Sequence, residues 1–79
     1  MKKNKQSISL DLHGVKHNEA YTIIDKFVGD HIIRGTKEIS IITGDSQKMK
    51  DIVNHTIKDY DITGREDWFN PGKIILDLT

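Results

Sequence analysis

Polar and apolar residues alternate over Ser7-Ile8-Ser9-Leu10-Asp11-Leu12. This predicts a strand with Ile8, Leu10 and Leu12 on its buried face and Ser7, Ser9 and Asp11 opposite. A strand covered by helices on both sides reads apolar on both faces, so the alternation places helices on one side only. His13-Gly14 ends the strand. Asn18 is suited to cap a helix, with Glu19 in the first turn, where the helix dipole favours an acid. Ala20, Ile23, Ile24, Phe27, His31 and Ile32 or Ile33 then recur at helical spacing. Gly29 weakens the interior, and Gly35 follows Arg34 where a glycine closes a helix.

The period returns to two over Glu38–Thr43, with Ile39, Ile41 and Thr43 on one face and Ser40 and Ile42 on the other. Strand, helix and strand make a βαβ unit with parallel strands and a right-handed crossover. Thr43-Gly44-Asp45-Ser46 is a second turn, in which Asp45 or Ser46 caps the next helix. Met49, Ile52, Val53, Thr56, Ile57 and Tyr60 form one stripe, with Lys48, Lys50, Asp51 and Lys58 off it, and the helix ends near Tyr60. Ile62 to Trp68 reads as a strand weakened by Gly64. Asn70-Pro71-Gly72 has the residues of a type II turn. Lys73 to Leu78 alternates as the last strand and closes an antiparallel hairpin. The order is β-α-β-α-β-β. The expected fold is an α+β two-layer sandwich, a mixed four-stranded sheet with two helices on one face. No internal repeat or linker interrupts it, so a single domain is expected over 7–79. It follows a flexible basic arm over 1–6 that carries Lys2, Lys3 and Lys5.

Seventy-nine residues lie near the lower end of what one hydrophobic core supports. The absence of cysteine excludes a disulfide scaffold and a thiolate zinc site, and it fits the cytoplasm as the expected location. Polar residues follow Met1 where a signal peptide would be apolar, and apolar runs reach three residues at most. A membrane partner is therefore not expected. Twelve basic and twelve acidic side chains cancel, so overall charge does not point to nucleic acid.

Candidate chemistry gathers at the two turns. Parallel strands in one sheet end at the same edge, and ligands of open α/β sheets bind there. Each turn also opens a helix whose free N–H groups and dipole favour an anion. Lys48 lies in the first turn of the second helix, and Lys16 and His17 at the start of the first. Together they suit phosphate. Asp11 and His13 share strand parity. A carboxylate beside an imidazole can orient it and fix its tautomer, which gives a general base or acid for phosphodiester cleavage. On RNA the base would deprotonate a 2′-hydroxyl, a route that needs no metal. The plainer alternative has Asp11 capping local backbone and His13 as an ordinary turn residue. A metal set of Asp11, His13 and His17 with Asp45 is a further alternative, with Mg as a candidate ion. His31 and His55 are expected to be structural or solvent-exposed. Trp68 and Phe69 could stack on a base, but packing in the core or hairpin is the expectation. Thr43-Gly44-Asp45-Ser46 is not a P-loop.

Leu10-Asp11-Leu12-His13-Gly14 matches the Leu-Asp-Leu-His-Gly motif of the small MutS-related (Smr) domain, with Glu19-Ala20 following at the right distance. Ile41-Ile42-Thr43-Gly44 is similar to the start of that family's second motif, His/Thr-Gly-x-Gly, and Gly72 through Leu78 to its close. The resemblance covers the chain from about Ser7 onward. It implies a fold like the C-terminal domain of translation initiation factor three, and binding to DNA or RNA, often with endonuclease activity. In translation-linked members the RNA is ribosome-associated. By the motif, Asp11 and His13 are the catalytic candidates. Gly14, Lys16, His17, Thr43, Gly44, Asp45, Ser46 and Lys48 make up the candidate phosphate-binding set. The second glycine of the second motif is Ser46 here.

Three functions remain open on the sequence. The first is a monomeric endonuclease acting on RNA or DNA without an obligatory cofactor. The second is a non-catalytic module docking on structured RNA such as the ribosome. The third is a protein-interaction domain using an open sheet face with Ser9, Ser40 and Ile75.

Overall fold

A computed structural model describes residues 8–78. The basic arm and Ser7 lie outside the described residues. Strand β1 (Ser9–Asp11) is followed by helix α1 (His17–Arg34), strand β2 (Glu38–Ile42), helix α2 (Gln47–Lys58) and strands β3 (Gly64–Glu66) and β4 (Lys73–Asp77). The element order is the one the periodicities predict. β1 runs parallel to β2, with Ser9, Leu10 and Asp11 opposite Ser40, Ile41 and Ile42. β4 is antiparallel to both β2 and β3, and the sheet order is β1-β2-β4-β3.

Both helices cover one face. Ala20, Ile24 and Val28 of α1 and Met49, Val53 and Ile57 of α2 share one core with Leu12, Ile39, Ile41, Ile74 and Leu76. The other face carries Ser9, Asp11, Ser40, Ile42, Lys73 and Ile75 and has no helix. Ser40 is nonetheless buried, because β1 and β4 flank it and its hydroxyl bonds that of Ser9 at 2.9 Å. Thr56, at the helix interface, donates its hydroxyl to the Ile52 carbonyl at 2.7 Å.

The helix stripes differ from expectation at their ends. In α1 the buried series is Ala20, Ile24, Val28 and His31, so Val28 belongs to the core, while Ile32 and Ile33 are exposed. Nothing in the structure explains the exposure of Ile33. His31 is held as a structural residue, with Nδ1 2.9 Å from the Thr36 hydroxyl and its ring edge-on to Phe27. Gly35 closes the helix in the left-handed conformation, as its position predicts. Gly29 faces the Tyr60 hydroxyl, from which a Cβ would lie 3.4 Å away, an ordinary contact. That hydroxyl reaches across from the end of α2 to donate to the Asp25 carboxylate at 2.6 Å. The bond to Asp25 comes first, and partial burial second, in pushing the Tyr60 pKa up to about 12.

The hairpin departs further from the sequence reading. β3 is only three residues long, and Gly64 is what lets it pair closely. A Cβ there would meet Ile74 and Leu76 side-chain atoms at 2.9 Å. Lys50 is tucked against this edge strand and pairs with Glu66 at 3.5 Å. The Asn70–Lys73 turn closes through Lys73 N–H to the Asn70 carbonyl at 3.0 Å. Gly72 does not take positive φ there, so the turn is not type II. Trp68 and Phe69 are each 89% exposed, against the expectation that they pack. The connection is closed by main-chain bonds, Asp67 N–H to Lys73 O and Asn70 N–H to Asp67 O, and needs no aromatic packing to hold it.

Candidate functional site

β1 and β2 are parallel, and β3, antiparallel to β4, points the same way. The carboxyl ends of all three therefore share one edge. The connections leaving it are residues 12–16, 43–46 and 67–72.

The first turn is built around Asp11. Leu12 N–H extends the ladder to the Ile42 carbonyl at 2.9 Å, and Val15 N–H returns to the Leu12 carbonyl at 3.0 Å. Gly14 within that turn has a φ of 81°, a conformation that residues with a Cβ adopt at a cost. The Asp11 carboxylate accepts the main-chain N–H of His13 at 2.9 Å. Among the described residues it makes no bond to the His13 ring. Asp11 thus fixes the turn that carries His13, through the backbone. Both side chains are exposed.

The start of α1 also differs from the sequence reading. Lys16, not Asn18, occupies the N-cap, and no side chain caps the helix. The Lys16 carbonyl already accepts from Glu19 and Ala20 N–H, which brings the helix start forward by two residues. The N–H groups of His17 and Asn18 have no partner among the described residues. This helix end offers free donors where its dipole is positive.

The second turn is closed. Thr43 and Gly44 N–H both donate to the Gly72 carbonyl, at 2.7 and 3.1 Å. The Thr43 hydroxyl lies 3.0 Å from the Gly44 carbonyl and 3.2 Å from that of Gly72. Gly72 has to be glycine for this approach, since a Cβ would sit 2.9 Å from Gly44 Cα. Ser46 is the N-cap of α2, as anticipated, and its Oγ accepts Met49 N–H at 3.1 Å. Only the Asp45 and Ser46 N–H groups of this turn are without a partner among the described residues.

His17 and Lys48 come together. With Tyr21 of α1 and Asp51 and His55 of α2, they line an open groove of about 710 Å³ between the two helices. His55 and Tyr21 were not expected in the site. The signal was available: Lys48 and His55 are seven residues apart on one helix, and His17 and Tyr21 four apart on the other, so each pair shares a face. The proposed metal ligands do not assemble, because no three His, Asp or Glu side chains cluster as a metal site among the described residues.

At the opposite end of the open sheet face, Arg65 bonds Asp77 at 2.7 Å and reaches Glu38 at 4.0 Å. One of the chain's two arginines is thus engaged away from the candidate edge. No helix among the described residues is long and apolar enough to cross a membrane.

The Smr domain family model matches residues 10–66, from within β1 through β3. The chain belongs to the Smr domain family. Searches of curated proteins and of solved structures return no significant match. Both motif turns of this Smr domain lie on the shared strand edge, on either side of the β1–β2 pair.

Proposed function

We propose that this Smr domain binds nucleic acid along the edge formed by its first turn, the open start of α1 and the interhelical groove, and cleaves phosphodiester bonds there. The observation that carries the reading is the convergence of exposed His13, the uncapped α1 terminus and the His17–Lys48 groove on one edge. Free main-chain donors at a positive helix end bind a phosphate, and Lys48 adds charge beside it.

His13 is the general base in this reading. On RNA its imidazole takes the 2′-hydroxyl proton. The 2′-oxygen then bonds to the adjacent phosphorus, and the 5′-oxygen leaves and acquires a proton. Asp11 is a positioning residue, acting through the His13 main-chain N–H. DNA, with water as nucleophile, is the other candidate substrate. The ribosome is a candidate source of RNA.

The test is incubation of the purified protein with labelled RNA and with supercoiled plasmid, each with and without chelator, beside His13→Ala. Cleavage that disappears in the variant while binding persists is expected. Undiminished cleavage by His13→Ala refutes the assignment. A second reading, a binding module without catalysis, is favoured by the closed second turn, where Gly72 and Met49 already engage the groups of Thr43, Gly44 and Ser46. It predicts salt-dependent binding with no product in either protein.

A further inference from the structure

The two most exposed large apolar side chains among the described residues are neighbours in the chain. Trp68 and Phe69 are each 89% exposed, at the tip of the β3–β4 hairpin. Burying either ring would be worth about 1.5–3 kcal/mol, so adjacent rings left in water in so small a core call for a reason. Their position supplies one. The hairpin tip leaves the same strand edge as the His13 turn. It is fastened to the second motif turn by the Gly72 carbonyl, which accepts from Thr43 and Gly44.

The tip is also held in shape from within. Asp67 Oδ1 accepts Phe69 N–H at 3.3 Å, Asn70 Oδ1 accepts Gly72 N–H at 3.0 Å, and Asp67 N–H donates to the Lys73 carbonyl at 2.9 Å. A pinned tip presents its rings at low entropic cost on binding. Glu66, at the base of the tip, is paired with Lys50 at 3.5 Å, which offsets its charge toward an incoming phosphate.

We infer that Trp68 and Phe69 form a stacking platform for unpaired nucleobases, beside the edge proposed to hold the phosphates. The inference rests on that proposed edge and deepens it, because it makes a single-stranded segment the substrate class. Bases in a duplex present no free face to such a platform, whereas every unpaired base does. Size argues for bases over a protein partner. Two rings offer about 300–500 Å² together, enough for two base faces and short of the roughly 800 Å² per partner that a standard protein interface buries.

Trp68 is the chain's only tryptophan, so its emission reports on the tip alone. The probes are a twelve-nucleotide oligothymidine, a 2′-O-methyl oligouridine that lacks the nucleophilic hydroxyl, an abasic strand of equal length and a duplex. Wild-type emission is expected to be quenched by the two base-bearing single strands and not by the abasic strand or the duplex. Trp68→Ala and Phe69→Ala should each weaken single-strand binding by about 5- to 150-fold, the range of one lost base stack. Their melting midpoints should stay at the wild-type value. If the double variant binds the single strands as tightly as wild type, and wild-type emission does not change, the platform is refuted and the edge reading stands. If no probe shows salt-dependent binding, the edge reading fails and the platform with it. Emission that instead shifts with protein concentration alone, together with self-association lost in Trp68→Ala, assigns the tip to a protein contact and overturns the proposal.

Discussion

Gly72→Ala tests the link between the hairpin and the second motif turn. Gly72 is buried and does not have positive φ, so alanine meets no backbone penalty there. At a position free of contacts the substitution would stabilise the protein by about 0.4–1 kcal/mol, by reducing the freedom of the unfolded chain. Here the added Cβ falls 2.9 Å from Gly44 Cα and 3.1 Å from Gly44 C and O. Those are main-chain atoms, which cannot rotate away as a side chain can. The strands must part, and parting them lengthens the 2.7 and 3.1 Å bonds from Thr43 and Gly44 to the Gly72 carbonyl.

Overpacking costs about 1–3 kcal/mol and each lost bond about 0.5–1.5 kcal/mol, but the clash is relieved by loosening those same bonds, so the two overlap. A net loss of about 2 kcal/mol follows, out of roughly 4–12 kcal/mol for a chain of this size. The variant therefore folds, with a melting midpoint lower by roughly 8–16 °C. Circular dichroism at 222 nm during heating measures it, with urea unfolding as a second measure. A midpoint at or above wild type would show that the turn and the hairpin are not in close contact, and the account of a closed second turn would be wrong.

Three further outcomes are expected. Tyr60→Phe removes the hydroxyl that donates to Asp25, for a loss of about 1 kcal/mol in urea unfolding near neutral pH. Because folding raises the Tyr60 pKa from 10.0 to about 12, its contribution is complete below pH 10 and is lost as pH rises through 12. The gap between wild type and Tyr60→Phe should close over that window, and a gap that stays constant refutes the bond. Ser46→Ala leaves Met49 N–H without its cap and should cost about 1 kcal/mol, whereas Ser46→Gly should cost only a few tenths; equal losses in thermal melts would contradict the capping role. Lys48→Ala should weaken binding to a phosphodiester strand and lower the slope of log K against log salt by about one. An unchanged slope removes Lys48 from the interface.

Much of the fold is legible in the sequence, because burial imposes a period on every element. Ile39, Ile41, Ile74 and Leu76 alternate, Met49, Val53, Thr56 and Ile57 recur helically, and each buried set was found by that rhythm alone. The misses have local or distant competitors that a periodicity cannot register. Asn18 has the right chemistry for a cap, but the Gly14 turn and the Lys16 carbonyl start α1 earlier. Of the two readings of Asp11 the local-backbone one holds, because the N–H two residues ahead is the partner a short carboxylate reaches most easily. By sequence alone Gly64 reads as a strand breaker and Gly72 as a turn former. Both are glycine because another segment approaches them, Ile74 and Leu76 in one case and Gly44 in the other. Hydrophobicity assigns Trp68 and Phe69 to packing, and their exposure departs from that rule.

These corrections change how the two motif turns divide the work. The sequence presents them as equivalent, each a strand end that opens a helix. In the structure they differ in how they are held. The first turn is pinned by Asp11 but leaves His17 and Asn18 N–H free, and its helix uncapped. The second gives Thr43 and Gly44 N–H to the Gly72 carbonyl, leaves Asp45 and Ser46 N–H free, and caps its own helix through Ser46 Oγ, which accepts from Met49 N–H. In the proposed reading the phosphate is the one held at the first turn, beside His13. The second turn then serves mainly as an anchor, fixing the hairpin tip against the sheet edge. On this view Ser46, which stands where the second motif has its second glycine, does not remove a phosphate contact that the edge depends on. It supplies a cap to a helix whose Lys48 and His55 face the groove. The departure from the motif thus weighs on the stability of α2 more than on the chemistry at His13.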